Sequence, residues 1–207
     1  LGRRGIDHVV LERGEALGHT WAHLYDSLVL HTGKHLSSLP GLPFPRTTRL
    51  FPSRHDFLHY LHEYARRFGL PVRAHADVET IERAHGRWSV RTRGGGELTA
   101  SVVVMATGIV SNPFIAPIPG HTRFAGRVLH SVEYRRPDAH AGRRVLVIGA
   151  GNSAGEIAAE LAAAGARVMV AVRSGARVVP RDLFGIPIQY LAVVISRFPR
   201  QVQQSIA

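Results

Sequence analysis

Cysteine is absent from all 207 residues. Without thiolates there is no sulfur-ligated metal site and no dithiol relay, which argues against a flavin disulfide reductase. Lysine is almost absent too: Lys34 stands alone, and the other 25 of the 26 basic residues are arginine. Against 15 acidic residues these give a formal net charge of +11. Such a charge ordinarily points to nucleic acid or an anionic membrane, but the arginines are scattered, with no interleaved aromatic stripe. The abundance of Arg, Ala, Gly and His fits a coding bias that trades Lys for Arg, so no nucleic-acid partner is expected. Long apolar runs are missing as well. The longest uncharged stretch, 183–196, is broken by Gly185 and Pro187 and falls short of the ~20 residues a membrane span needs. It is expected to be buried or interfacial, with membrane contact unlikely. The opening Leu1-Gly2-Arg3-Arg4-Gly5-Ile6-Asp7 is neither a signal h-region nor a transit peptide, so the chain is expected to begin in mid-structure and to be cytoplasmic. What is present, 45% hydrophobic residues with dispersed glycine and proline, describes a globular protein.

His8 to Glu12 reads as a second Rossmann strand that ends in an acid, preceded by the Arg-rich end of a helix. Phe57, Leu61, Tyr64, Ala65 and Phe68 share helical spacing, and Gly69 with Pro71 stops that element. Alternating segments then follow around Val78 to Ile81 and Trp88 to Thr92. The glycines at 94 to 96 form a hairpin loop before a buried strand from Leu98 to Met105. After Ala106-Thr107-Gly108 a connection carrying Pro113, Pro117 and Pro119 suggests a domain boundary. A new α/β unit starts with the apolar strand Val145 to Ile148, continues as a helix over Glu156 to Ala164, and returns in the strand Val168 to Val172. The expected fold class is α/β, with two Rossmann-like dinucleotide-binding domains over 1–113 and 114–207.

Gly149-Ala150-Gly151-Asn152-Ser153-Ala154 is a G-x-G-x-x-A loop between that strand and helix. The first glycine permits the tight turn, the second lets a pyrophosphate approach the backbone, and Ala154 keeps helix and strand close. Helix N–H groups and the positive helix end then hold phosphate. Where the next strand ends, an acid would select NAD, and an arginine pairs instead with the 2′-phosphate of NADP. Arg173 occupies that position, with Arg177 either sharing the role or being a solvated charge. Glu12 repeats the logic for a second dinucleotide, or is an ordinary strand-end acid. The glycine loop that should precede it by ~20 residues is not among these residues.

Phe124, Gly126, His130 and Tyr134 form F-x-G-x-x-x-H-x-x-x-Y immediately upstream of Gly149. The string resembles the fingerprint of the class B flavoprotein monooxygenases, which comprise the flavin-containing and Baeyer–Villiger monooxygenases. Leu11-Glu12-Arg13, Trp21, Leu30-His31-Thr32-Gly33-Lys34, Pro43-Phe44-Pro45, Ala106-Thr107-Gly108, Gly151-Asn152-Ser153 and Val172-Arg173 look most like the indole-3-pyruvate monooxygenase branch. Within that superfamily an asparagine often occupies the position of His31, near the reactive flavin, and L-H-x-x-K looks like the auxin-forming branch.

The resemblance implies FAD and NADPH as cofactors and O2 with a small organic molecule as substrates. One oxygen atom would be inserted through a flavin C4a-hydroperoxide, with oxidative decarboxylation of an indole-3-pyruvate-like 2-oxo acid as one form of the reaction. It implies His31 as the catalytic residue. The cofactor-binding set would be Glu12, Arg13, Trp21, Val78, Thr107, Gly108, Gly149, Gly151, Asn152, Ser153, Ala154 and Arg173. It also implies that the first Rossmann domain is incomplete at its N-terminus and that the chain is truncated at both ends. His130 reads either as a positioning residue between domains or as a hydrogen-bonded core histidine, and Trp21 either as a flavin neighbour or as loop packing. His19 with His23 and His31 with His35 have i,i+4 spacing but no third ligand, so no metal is expected. Other readings are a non-catalytic NADPH-binding fragment and another FAD- and NAD(P)-dependent oxidoreductase.

Overall fold

The computed structural model describes residues 1–175 and 179–197. In chain order the elements are β1 (Val10–Leu11), α1 (His19–Ala22), α2 (Lys34–Ser37), α3 (Arg54–Phe68), β2 (Val72–Arg73), β3 (Val78–Ala84), β4 (Arg87–Thr92), β5 (Glu97–Ala100), β6 (Arg144–Ile148), α4 (Asn152–Ala163), β7 (Arg167–Ala171), β8 (Asp182–Leu183), β9 (Ile186–Pro187) and α5 (Ile188–Ile195). They form two compact units, each discontinuous in sequence. One joins Leu1–Tyr25 to Arg54–Arg135; the other joins Asp26–Ser53 to the described residues from Arg136 onward. The Pro-rich connection falls inside the first unit.

In the first unit β1 runs parallel to β2, with Val10 opposite Val72 and Leu11 opposite Arg73. The Rossmann strand expected over His8 to Glu12 is thus ordered in a ladder for only two residues. Main-chain bonds prolong it, since the Glu12 N–H donates to the Arg73 carbonyl at 3.0 Å. The preceding helix end is a 3-10 turn, Gly2–Arg4, stopped by Gly5 at φ 64°. Helix α3 forms at the expected place and buries Tyr60. Its Phe57 ring meets Trp21 of α1 edge-on at 4.5 Å, and the Arg54 Nη1 group donates to the Ala22 carbonyl at 2.6 Å.

Strands β3, β4 and β5 make an antiparallel meander. Its first turn is His85-Gly86, with φ of 50° and 77°, the left-handed pair a two-residue hairpin requires. The buried strand expected from Leu98 to Met105 is corrected. The ladder stops at Ala100 opposite Trp88, and Val102, Val104 and Met105 are 74%, 78% and 67% exposed. Apolar alternation makes a segment suitable for a sheet but supplies no neighbour. None of the described strands pairs with this one, so it stays extended outside a ladder.

The second unit holds β6 and β7 as a parallel pair, in register from Arg144 opposite Arg167 to Ile148 opposite Ala171. Helix α4 covers one face with Ile157, Ala158 and Leu161, all buried. The expected apolar strand Val145 to Ile148 is therefore covered on one side only: Val145 and Val147 are half-buried, while Leu146 and Ile148 are exposed. Residues 26–53 are held together by main-chain bonds such as Leu30 N–H to the Pro52 carbonyl at 2.8 Å, around buried Phe44 and Pro52, and join the rest of this unit through side-chain bonds such as Gln189 to the His31 carbonyl at 2.9 Å. The uncharged segment 183–196 contains a β8–β9 hairpin and α5. Pro187 is buried, but Phe184, Val193 and Val194 are exposed, so of the two expected readings, buried or interfacial, burial along the whole segment does not hold. No helix among the described residues is long and apolar enough to cross a membrane.

Candidate functional site

The glycine loop sits where strand, turn and helix chemistry require it. Gly149 takes φ 122°, a left-handed value that side chains resist, and its N–H donates to the Ala171 carbonyl of β7 at 2.9 Å. A Cβ on Gly149 would lie 4.0 Å from the Ala154 methyl, so loop and helix approach closely at the position where the sequence has its small residue. Gly151 is the N-cap of α4, with φ −75°, and a Cβ there would meet nothing within 4 Å. Asn152 and Ser153 open the helix and are exposed, and no side chain caps it. Helix geometry leaves the first N–H groups without intrahelical acceptors, so a bare, positively polarised helix end faces open space. Arg173 is exposed two residues beyond β7, and Arg177 lies outside the described residues.

The residues expected around a second dinucleotide all fall in the first unit. The Glu12 Oε1 atom accepts the Gly14 N–H at 2.8 Å, which turns the chain sharply after β1 and keeps that carboxylate at the strand end. Arg13 lines a cleft of about 130 Å³ with His19, Thr20, His23, Val110 and Ser111. The His19 and His23 rings lie 4.0 Å apart, and His19 packs against Gly14 so closely that a side chain at 14 has no room. Trp21 packs edge-on against α3, a helix rather than a simple loop. Val78 opens β3 opposite Thr92. Thr107 and Gly108 are exposed, with Gly108 at φ 74°, and the Ser111 hydroxyl donates to the Thr107 carbonyl at 2.9 Å.

The F-x-G-x-x-x-H-x-x-x-Y string also acquires physical content within this unit. The Phe124 ring lies over Gly126, where a Cβ would collide with it. His130 is the N-cap of the 3-10 turn Ser131–Glu133, with Nδ1 accepting the Val132 N–H at 3.2 Å. The His130 N–H in return donates to the Glu133 carboxylate at 2.9 Å, which closes a reciprocal capping box. Tyr134 is buried and faces Tyr25 at 6.2 Å. His130 is thus a half-buried cap rather than a core histidine.

His31 belongs to the second unit, together with the glycine loop. Its Nε2 atom lies 3.6 Å from the Glu156 carboxylate of α4, and both side chains are partly exposed. Gln189 of α5 donates to the His31 carbonyl at 2.9 Å, and Tyr190 and His35 are hydrogen-bonded at 2.7 Å. Sequence reading did not find Glu156, Gln189 or Tyr190. Only Glu156 carried a usable signal, one turn into the helix that follows the glycine loop. Among the described residues no three His, Asp or Glu side chains could share a metal ion.

Comparison with known proteins gives the family. The family profile described as pyridine nucleotide-disulphide oxidoreductase matches residues 1–182. Indole-3-pyruvate monooxygenase YUCCA1 of Oryza sativa subsp. japonica is 39% identical over 201 residues, covering 96% of this chain and 50% of that protein. Probable indole-3-pyruvate monooxygenase YUCCA4 of Arabidopsis thaliana is 37% identical over 201 residues, covering 96% and 49%. Among solved structures, the flavin-containing monooxygenase from Stenotrophomonas maltophilia superimposes with a TM-score of 0.84 at 32% identity, over 94% of this chain and 57% of that one. The chain spans about half the length of the curated relatives it matches. The resemblance to flavoprotein monooxygenases read from the sequence is carried by both kinds of comparison, and the chain belongs to the pyridine nucleotide-disulphide oxidoreductase family.

Proposed function

We propose that the chain is part of an FAD- and NADPH-dependent monooxygenase that inserts one oxygen atom of O2 into a small organic substrate. The observation that carries this reading is the bare end of α4 at Gly151, where an unobstructed glycine adjoins unsatisfied helix N–H groups. That is the donor set a pyrophosphate needs. The lack of any thiol in these 207 residues favours oxygen transfer over the disulfide chemistry that the family description names. The relatives' names favour an indole-3-pyruvate-like 2-oxo acid as substrate.

On this reading NADPH is held in 114–207, its pyrophosphate by Gly149, Gly151, Asn152, Ser153 and Ala154 and its 2′-phosphate by Arg173. FAD is held in 1–113, where Glu12 has one carboxylate oxygen committed to Gly14 and the other free to accept from ribose hydroxyls. Arg13, Trp21, Val78, Thr107 and Gly108 complete that site. Once held by these residues, FAD would supply the redox chemistry that links NADPH oxidation to O2, with one oxygen atom going to the substrate and the other to water. The chain's own part is to bind and orient the cofactors, exclude water and manage protons, and His31, beside Glu156, is the group placed to hold or deliver a proton. The test is absorbance in the flavin bands of the purified protein, followed by NADPH oxidation with and without indole-3-pyruvate or a thioether. Substrate-dependent oxygen insertion supports the proposal; a flavin that reduces a disulfide and leaves O2 unused overturns it.

A further inference from the structure

Lys34 is the one lysine in a chain whose other basic residues are all arginine, and its surroundings account for the exception. Its ammonium donates to three main-chain carbonyls, those of Thr48 at 2.6 Å, Arg46 at 2.9 Å and Pro45 at 3.3 Å. All three acceptors are neutral, and its side chain forms no ion pair among the described residues. An ammonium presents three N–H groups as a tripod on one nitrogen, so three oxygens can converge on a point. A guanidinium spreads five N–H groups along the rim of a plane and cannot meet three converging acceptors. All three protons of Lys34 are thus committed, and none remains for a substrate carboxylate or a phosphate.

The carbonyls that Lys34 gathers belong to the stretch lying along the segment that bears His31. The Leu30 N–H donates to the Pro52 carbonyl at 2.8 Å, and the Lys34 N–H to the Leu50 carbonyl at 2.7 Å. Between these two bonds His31 is held from the other side by Gln189, and a Cβ on Gly33 would lie 2.5 Å from the Tyr190 hydroxyl. We infer that Lys34 is a positioning residue whose tripod fixes residues 45–48 against the His31 segment, a task in which arginine cannot replace it. The consequence for turnover rests on the role proposed for His31; the clamp itself does not.

The absence of cysteine makes the test clean. Lys34→Cys introduces the chain's only thiol, and alkylation with bromoethylamine rebuilds an ammonium at nearly lysine's reach. An arginine-specific protease then reports loop opening through the rate of cleavage after Arg46 and Arg49, read by mass spectrometry against cleavage after Arg123 in the other unit. Lys34→Arg and unmodified Lys34→Cys should be cut after Arg46 about tenfold faster than the parent, as befits loss of charge-assisted bonds. The aminoethylated protein should return to within about twofold. A parental rate in Lys34→Arg, failure of aminoethylation to restore protection, or an equal rise at Arg123 would each overturn the inference. In the flavin-loaded protein, product formed per NADPH consumed should fall in Lys34→Arg and in His31→Asn without adding in the double variant. Additive effects would sever Lys34 from His31. The protease pattern with no change of turnover in either single variant would leave the clamp standing and remove the proposed role of His31.

Discussion

At Gly151 the backbone adopts φ −75°, which any residue can hold, and the space beside it is open. The fold alone therefore does not require glycine there; on the proposed reading, a ligand approaching the backbone does. Gly151→Val should abolish binding of the nicotinamide dinucleotide and leave the thermal melt nearly unchanged, which a cofactor titration run beside calorimetry will check. Retained binding would reduce the loop to a turn. Arg173→Ala should weaken NADPH by ~1.5 to 3 kcal/mol, the scale of a charge-assisted bond, and leave NADH almost unaffected. Equal losses for both cofactors would point to a general positive field. These residues were legible because a phosphate-binding turn is built from consecutive positions, so its spacing survives in the sequence. The neighbours of His31 were not. Glu156 and Gln189 reach it, and Tyr190 reaches nearby His35, from more than a hundred residues away, and no local pattern encodes such a meeting.

Elements show the same division between what is local and what needs a partner. Helix α3 and the turn glycines at 94 and 95 were readable from periodicity and φ preference. The segment 102–105 reads as a strand in composition, yet its ladder depends on a neighbour that no local signal can supply. The fingerprint histidine illustrates a third case, in which a family motif conceals a capping device. His130→Ala should cost about 0.5 to 2 kcal/mol in urea unfolding, whereas His130→Asn, whose side chain can also cap, should keep most of the stability. Equal losses in both variants would assign the histidine a duty other than capping. In α4, Leu161 is 2% exposed, so Leu161→Ala should lower stability by ~2 to 5 kcal/mol through lost burial and a residual cavity. An effect under about 0.5 kcal/mol, the scale of ordinary surface changes, would mean that α4 is not seated on β6 and β7 as described.

Among the described residues many large apolar side chains are exposed. Val102, Val104, Met105, Ile109 and Phe114 on one unit, and Leu146, Ile148, Met169 and Phe184 on the other, are all more than half exposed. These 207 residues expressed alone should bind anilinonaphthalene sulfonate strongly and associate as concentration rises, because patches of this kind are unfavourable in water. Sedimentation at several concentrations checks this, and a monomer silent to the dye would show that the patches are covered in solution. The tripod of Lys34 has a consequence for labelling chemistry. The nitrogen of the chain's one side-chain amine is in hydrogen-bond contact with three carbonyls, so an acylating reagent must displace those contacts to reach it. Reagents that decorate ordinary proteins at many lysines will find this side chain only when the loop opens, so the rate at which an activated ester modifies Lys34 becomes a clock for that opening.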